Sequence, residues 1–348
     1  MSLPSVSVIL PNFNHAHYLP QALKAILDQS VKPKEIIVID DGSTDNSVDV
    51  ISGFAKDNPS IKLTVNEKNL GVIPSSFIGF QQATGDYMLW SGADDYLLPD
   101  FFEKSLNLLA KHPQAGLCFS LSRRIDEKGN YLDTVPEPPY LSRSPCYMPP
   151  QRMVKIMTTK DNWCIMPTTV LFNSRLTEES QALTVAAGIY VDMFALTLLA
   201  LNYGVCFIPE ELGVFRLTSE SSSAKAREEP KALLEYVTPM WTLMETTYAD
   251  KFPPEFRKKL KRRHLYEYGA MATQKINRSW DEFLDHLQFS LDAPSIIDRL
   301  FCLGVRLLGK IQFLMAKGYL FLRLRCITGG IMIRIFNRYK INRRKEDG

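Results

Sequence analysis

Short apolar runs alternate with segments of helical period through the first hundred residues, and each apolar run gives way to polar or acidic residues. Residues 6–10 are the first such run, closing at Pro11, and 18–27 then carry Leu19, Ala22, Leu23, Ile26 and Leu27 at helical spacing. The same pattern predicts strands at 36–39, 61–65 and 87–90, with helices at 43–56 and 73–83. Alternation of this kind specifies an α/β fold of Rossmann-like type, a mostly parallel sheet flanked by helices on both faces. Ligands of open sheets bind beyond the carboxyl ends of the strands. Three polar clusters fall there: residues 11–14, residues 40–45, and the pair Asp94 and Asp95.

Further along, residues 131–150 are proline-rich and irregular, and alternation resumes with a strand at 168–172, a helix at 191–203 and strands at 205–208 and 212–217. Beyond Ser223 the pattern turns almost wholly helical. A boundary near 224–230 therefore divides the 348 residues into a catalytic-type domain, 1–225, and a C-terminal α-helical extension, 226–348. Hydrophobic residues at 45% and charged residues at 23% suit a packed globular chain, and a formal charge of +3 gives no case for nucleic acid. The six cysteines show no C-x-x-C spacing, which argues against zinc and redox chemistry. Residues 1–8 lack the basic and apolar regions of a secretion signal, and no uncharged apolar run approaches bilayer length. The expected location is the cytoplasm.

At the end of the second strand, Asp40 and Asp41 precede Gly42 and could accept hydrogen bonds from a nucleobase or ribose. A helix N-terminus capped by Ser43 or Asp45 explains the same residues equally simply. Asp94 and Asp95 would repel one another unless a cation lies beside them; a divalent ion bridging a diphosphate fits, and a solvated acidic turn is the competing account. His15 and His17 lack further ligands and are assigned to a loop. Trp90 is assigned to the core, whereas Trp163 could stack on a sugar ring.

Taken in order, V-S-V-I-L-P-N-F-N at 6–14, I-V-I-D-D-G-S-T-D-N-S at 37–47, N-L-G-V at 69–72 and A-T-G-D-Y-M-L-W-S-G-A-D-D-Y-L-L-P-D at 83–100 resemble the successive signatures of family 2 glycosyltransferases with the GT-A fold. The resemblance implies a nucleotide-diphosphate sugar as donor, Asp41 against the base, and Pro11, Asn14, Asp40 and Asn69 in the same pocket. It implies that Asp94 and Asp95 form the acidic D-x-D pair, with Asp95 the more direct ligand of Mn2+ or Mg2+. It also implies inversion at the anomeric carbon, which needs one general base rather than a covalent nucleophile.

In similar proteins that base opens a helix about a dozen residues before a glycine and a strand ending in proline. Asp192, ahead of Gly204, Ile208 and Pro209, fits, although the usual Glu-Asp pair is here Val191, Asp192 and Met193 and the register matches the glutamate. A carboxylate favoured by the helix dipole is the structural alternative. Residues 214–223 resemble the R-x-H loop near the diphosphate: Arg216 keeps the basic position, and Thr218 stands where the histidine would be. Ser76 and Phe77 also depart from the arginine and asparagine common in such proteins.

The C-terminal third predicts packed helices, including Phe256, Leu260, His264, Leu265 and Tyr268 at helical spacing. Residues 296–341 mix apolar side chains with Arg299, Arg306, Lys310, Lys317, Arg323, Arg325 and Arg334. This suits a helix in the headgroup plane of an anionic membrane, peripheral on the cytoplasmic face, while a hairpin folded onto the domain or a partner subunit is the alternative. The expected activity is transfer of a hexosyl-type sugar to a glycan or lipid-linked acceptor in cell-surface polysaccharide assembly. A nucleotidyltransferase making an activated sugar and a non-catalytic sugar- or membrane-binding protein are the other classes considered. The first would want a glycine-rich basic loop, which residues 11–18 do not supply.

Overall fold

The computed structural model describes residues 3–135, 141–159, 165, 167–218 and 230–272. Its N-terminal half follows the local patterns closely: β1 (Val6–Asn12), α1 (Leu19–Leu27), β2 (Glu35–Asp40), α2 (Ser47–Asp57), β3 (Ile61–Val65), α3 (Val72–Gln82) and β4 (Tyr87–Trp90). β1 pairs in parallel with β2 and β4, and β2 with β3. Strands β1 and β2 are buried almost throughout because helices cover both faces, which is why they read as unbroken apolar runs. Helix α2 starts four residues later than the pattern suggests, at Ser47, because the amides of Ser43, Thr44 and Asp45 are spent on Asp40 and Asn14.

After β4 come β5 (Tyr96–Leu97), α4 (Phe101–Lys111), β6 (Leu117–Ile125), β7 (Tyr131–Val135), β8 (Cys146–Met148), α5 (Pro150–Thr159), β9 (Val170–Asn173), α6 (Ser174–Glu179), α7 (Val191–Tyr203), β10 (Val205–Arg216), α8 (Pro230–Glu245) and α9 (Pro254–Ala272). The sheet runs β3-β2-β1-β4-β9-β6-β10-β5, with β7 on β6 and β8 on β10. It is mixed: β9 lies antiparallel between β4 and β6, whereas β6 and β10 are parallel. The parallel character expected from the alternation thus holds for β3, β2, β1 and β4 and gives way beyond them. The stretch 131–150, irregular in sequence, contributes the two edge strands β7 and β8 where it is described.

The two strands expected at 205–208 and 212–217 are one strand, β10. Its register against β6 shifts between Ile208 and Glu211 and again before Gly213. Pro209 cannot donate to a ladder, and the bulge bends the strand so that its last residues meet β5 and the acidic pair.

Helix α7 is buried around most of its circumference, including Phe194, Leu196, Leu198 and Leu199. With the preceding 3-10 turn Val185–Tyr190, kinked at Gly188, it makes the one described segment long and apolar enough to cross a bilayer. Here its apolar sides are covered by protein. Val237, Met240, Met244, Phe256 and Leu260 of the C-terminal helical pair, with Phe252 of the turn between them, join Phe119, Phe172 and Phe194 in a single cluster. At about 1.5–3 kcal/mol for each buried side chain of this size, the pair is docked firmly on the sheet layer. Of the expected boundary at 224–230, only Pro230 lies within the described residues, and the basic apolar segment 296–341 lies outside them.

Candidate active site

The strand ends deliver three connected groups of polar side chains. In the first, Asn12 at the end of β1 donates to Asp40 Oδ2 at 2.7 Å, and Ser43 closes on Asp40 through both its amide, 2.9 Å, and its hydroxyl, 2.8 Å. Asn14, at φ 57° in the left-handed region that asparagine tolerates, accepts the Thr44 amide at 2.8 Å and donates its own amide to Ser43 Oγ at 2.9 Å. Pro11, half-buried in β1, adjoins this knot. Asp40 is fully buried and spent on protein partners, so it holds the β1 and β2 loops together.

Asp41 organises the second group. Its carboxylate accepts from Asn66 Nδ2 at 2.8 Å, the Leu70 amide at 2.9 Å and the Gly71 amide at 2.8 Å. Asn69 supports the same turn by accepting the Gly71 amide at 2.9 Å. Burial acts to raise the Asp41 pKa, but the hydrogen bonds from Leu70, Asn66, Ser75 and Gly71 outweigh it and hold the carboxyl below its usual range. Gly42 takes φ +69°, and a Cβ there would come within 2.8 Å of the Lys68 backbone, so the β2 loop and the 68–71 turn touch only because residue 42 has no side chain.

The third group is the acidic pair. Asp95 is buried; its Oδ1 accepts the Arg216 amide at 2.8 Å and its Oδ2 accepts Thr168 Oγ1 at 3.0 Å. Burial, then the neighbouring Asp94 charge, pushes the Asp95 carboxyl well above the carboxylate range despite those bonds. A Cβ on Gly92 would lie 2.8 Å from Asp94 Oδ1 and 3.3 Å from Asp95 Oδ2, so both carboxylates flank the same point. Such a pair suits a hard divalent cation, which would relieve the repulsion and accept oxygen ligands. Among the described residues no group of three or more His, Cys, Asp or Glu is gathered for a metal, so diphosphate and water would have to complete its shell.

Arg216 closes this group from the other side. Its Nε donates to the Asp94 carbonyl at 3.1 Å, its Nη2 donates to Gln21 Oε1 at 3.0 Å, and its guanidinium lies 4.7 Å from the Tyr18 ring centroid. Those bonds use two of five guanidinium N–H groups and anchor the charge beside the acids. Thr218 is described two residues on, half-buried.

Asp192 stands apart from these hydrogen-bonded groups, in the first turn of α7. Its Oδ1 accepts the adjacent Met193 amide at 2.6 Å, and burial pushes its carboxyl up to about 6 although the residue is only half-buried. The 3-10 turn leading into it packs on α3, whose N-terminus is held by Asp41. A carboxyl with this pKa can take a proton at neutral pH.

Gln21, Tyr18, Asn66 and Thr168 went unnoticed in the sequence. Asn66 directly follows β3 and could have been found by the strand-end rule. Thr168 carries no signal of its own; it reaches Asp95 because β9 runs antiparallel to β4 and so starts at β4's carboxyl end. Trp90 packs against the core and its ring meets Phe80 edge-on at 5.2 Å. His15 and His17 occupy the loop before α1. Cys118 and Cys206 are buried free thiols, with Cys118 pushed up to about 12 by burial; Trp163 and Cys164 lie outside the described residues.

The family profile described as glycosyl transferase family 2 matches residues 7–178. An uncharacterized glycosyltransferase of Haemophilus influenzae is 36% identical over 112 residues, covering 32% of this chain and 45% of that protein. One from Nostoc sp. is 30% identical over 167 residues, 48% of this chain and 49% of that protein. The chondroitin synthase of Pasteurella multocida is 29% identical over 130 residues, 37% of this chain and 13% of the synthase. The chain therefore spans less than half the length of each. Among solved structures, S. aureus TarS 1-349 in complex with UDP-GlcNAc aligns with a TM-score of 0.66 at 14% identity, over 90% of this chain and 91% of that one. The mannosyltransferase PcManGT from Pyrobaculum calidifontis, in complex with GDP-Man and Mn2+, aligns at 0.54 and 18% identity, over 92% and 86%. At such identities the likeness is one of fold.

Proposed function

The chain belongs to glycosyl transferase family 2 through residues 7–178, and from that premise we propose that it is an inverting, metal-dependent glycosyltransferase. It moves a sugar from a nucleoside-diphosphate donor to a glycan or lipid-linked acceptor in polysaccharide assembly. The observation that carries this reading is Asp95: a buried carboxylate, held by the Arg216 amide and Thr168, beside a second carboxylate and a guanidinium. GDP-Man together with Mn2+ in the complex of one fold neighbour and UDP-GlcNAc in that of another support the donor class.

In this scheme the pocket around Asp41, Asn14, Asn69 and Pro11 receives the nucleoside, with Asp40 bracing it from behind. Asp95 and Asp94 would hold Mn2+ or Mg2+, which when bound offsets the charge gathering on the leaving diphosphate. Arg216 adds fixed positive charge on the same side. Asp192 accepts the proton of the acceptor hydroxyl as its oxygen bonds to the anomeric carbon and the carbon–diphosphate bond breaks, a single displacement that inverts configuration. We assign this machinery to residues 1–225 and regard the basic apolar segment 296–341 of the extension 226–348 as the part that brings the enzyme to an anionic membrane from the cytoplasmic side.

The test is a thermal-shift screen of the full chain against UDP, GDP, CDP and dTDP, with and without Mn2+. One diphosphate should stabilise the protein, more so with metal, and Asp41→Ala should abolish the shift. No stabilisation by any of the four, with or without metal, would overturn the assignment.

A further inference from the structure

Of the seven residues 257–263, six are Lys or Arg: Arg257, Lys258, Lys259, Lys261, Arg262 and Arg263. They lie on α9, whose inward face is fixed by Phe256, Leu260 and His264, all buried and spaced four residues apart. That spacing puts Lys258 on the outer side of the helix, with Lys259 and Lys261 on opposite flanks. Lys258 is exposed, Lys259 donates to the Thr158 carbonyl of α5 at 3.0 Å, and Lys261 pairs with Glu245 at 3.3 Å while lying 5.4 Å from the Trp241 ring. On the adjoining α5, Arg152 and Lys155 are exposed as well. Of the acids among the described neighbours, Glu245 is occupied by Lys261, and Glu255 is the one acidic residue in the first turn of α9.

The basic run ends beside the turn that leads into α7. His264, the next residue after it, accepts the Trp241 indole N–H at 3.1 Å and packs against Tyr190 with ring centroids 5.9 Å apart. Tyr190 ends the turn that opens α7, two residues before Asp192. At 1.5 Å of rise per residue, the stripe from Arg257 to His264 is about 10 Å long.

Resting on the glycosyltransferase reading above, we propose that α9 is the docking track for an anionic glycan acceptor, a polymer bearing carboxylate, sulfate or phosphate groups whose accepting end reaches Asp192. A neutral glycan has no use for the exposed cations Arg152, Lys155 and Lys258 gathered on these two helices. A lipid surface fits less well, because membrane-seeking helices pair their cations with exposed large apolar side chains, and α9 has none among its described residues.

Lysine footprinting of the full chain tests this. Acetylation of Lys258, Lys259 and Lys261, read by peptide mass spectrometry, should fall at least threefold with heparin as the polyanionic glycan probe and stay unchanged with dextran. Protection at Lys259 should weaken about fivefold in a Lys258→Gln/Lys261→Gln variant, the scale of two exposed cations facing a polyanion. It should persist in Lys56→Gln/Lys128→Gln, which removes equal charge elsewhere. Unchanged acetylation with heparin, or protection by phosphatidylglycerol vesicles and not by heparin, overturns the proposal. The nucleoside-diphosphate thermal shift is measured on the same sample. Lost protection with that shift intact rejects only the acceptor, whereas loss of the shift rejects the reading beneath it.

Discussion

Replacing Asp192 by asparagine should make the protein more stable and far less active. Burial raises the Asp192 pKa from 3.8 to about 6, which at about 1.36 kcal/mol per unit means the ionised carboxylate costs at most about 3 kcal/mol, less to the extent that the half-buried group reaches water. The folded pKa lies above the unfolded one, so the native state binds this proton more tightly. The cost is therefore complete above about pH 6 and fades as pH falls through 6 toward 3.8. Urea unfolding of Asp192→Asn should show a gain of up to about 3 kcal/mol at pH 7.5, shrinking to about half by pH 5. The asparagine cannot accept the acceptor proton, so kcat should drop by about 100-fold or more. In the wild type, kcat/KM should itself fall about tenfold between pH 7.5 and 5 as the base is protonated. Wild-type turnover in the variant refutes the catalytic role; an absent stability gain at pH 7.5 refutes the account of burial.

Gly92→Ala puts a methyl group 2.8 Å from Asp94 Oδ1; the Mn2+ concentration needed for nucleotide stabilisation should rise at least about tenfold, with an unchanged far-UV spectrum. Arg216→Lys keeps the charge but loses the planar fork that serves both the Asp94 carbonyl and Gln21. Steady-state kinetics should then show kcat/KM reduced by about tenfold. Thr168→Val removes a hydrogen bond that lowers the Asp95 pKa; its ionised form becomes harder to reach, so the Mn2+-dependent thermal shift should move to higher pH than in the wild type.

Much of the candidate site was legible because strand ends are local facts. A run such as 36–39 followed by Asp40 and Asp41 announces a buried strand handing acids to a loop, and β2 does this. Helix α7 and strand β4 likewise begin and end where their patterns do. The register of β10 was not legible, since the bulge around Pro209 is a response to its partner β6 and reads in sequence as a break between two strands.

Periodicity and strand-end chemistry, both set by neighbours within a few residues, determined the α/β class and the positions of Asp40, Asp41, Asp94 and Asp95. What surrounds those carboxylates was decided by the tertiary structure alone. Thr168 lies 73 residues from Asp95 and Arg216 lies 121, while Gln21 is 195 from Arg216. They meet because β9 enters the sheet reversed and β10 bends at its bulge. No local pattern encodes strand order, and burial of a charge exists only once distant segments have closed around it.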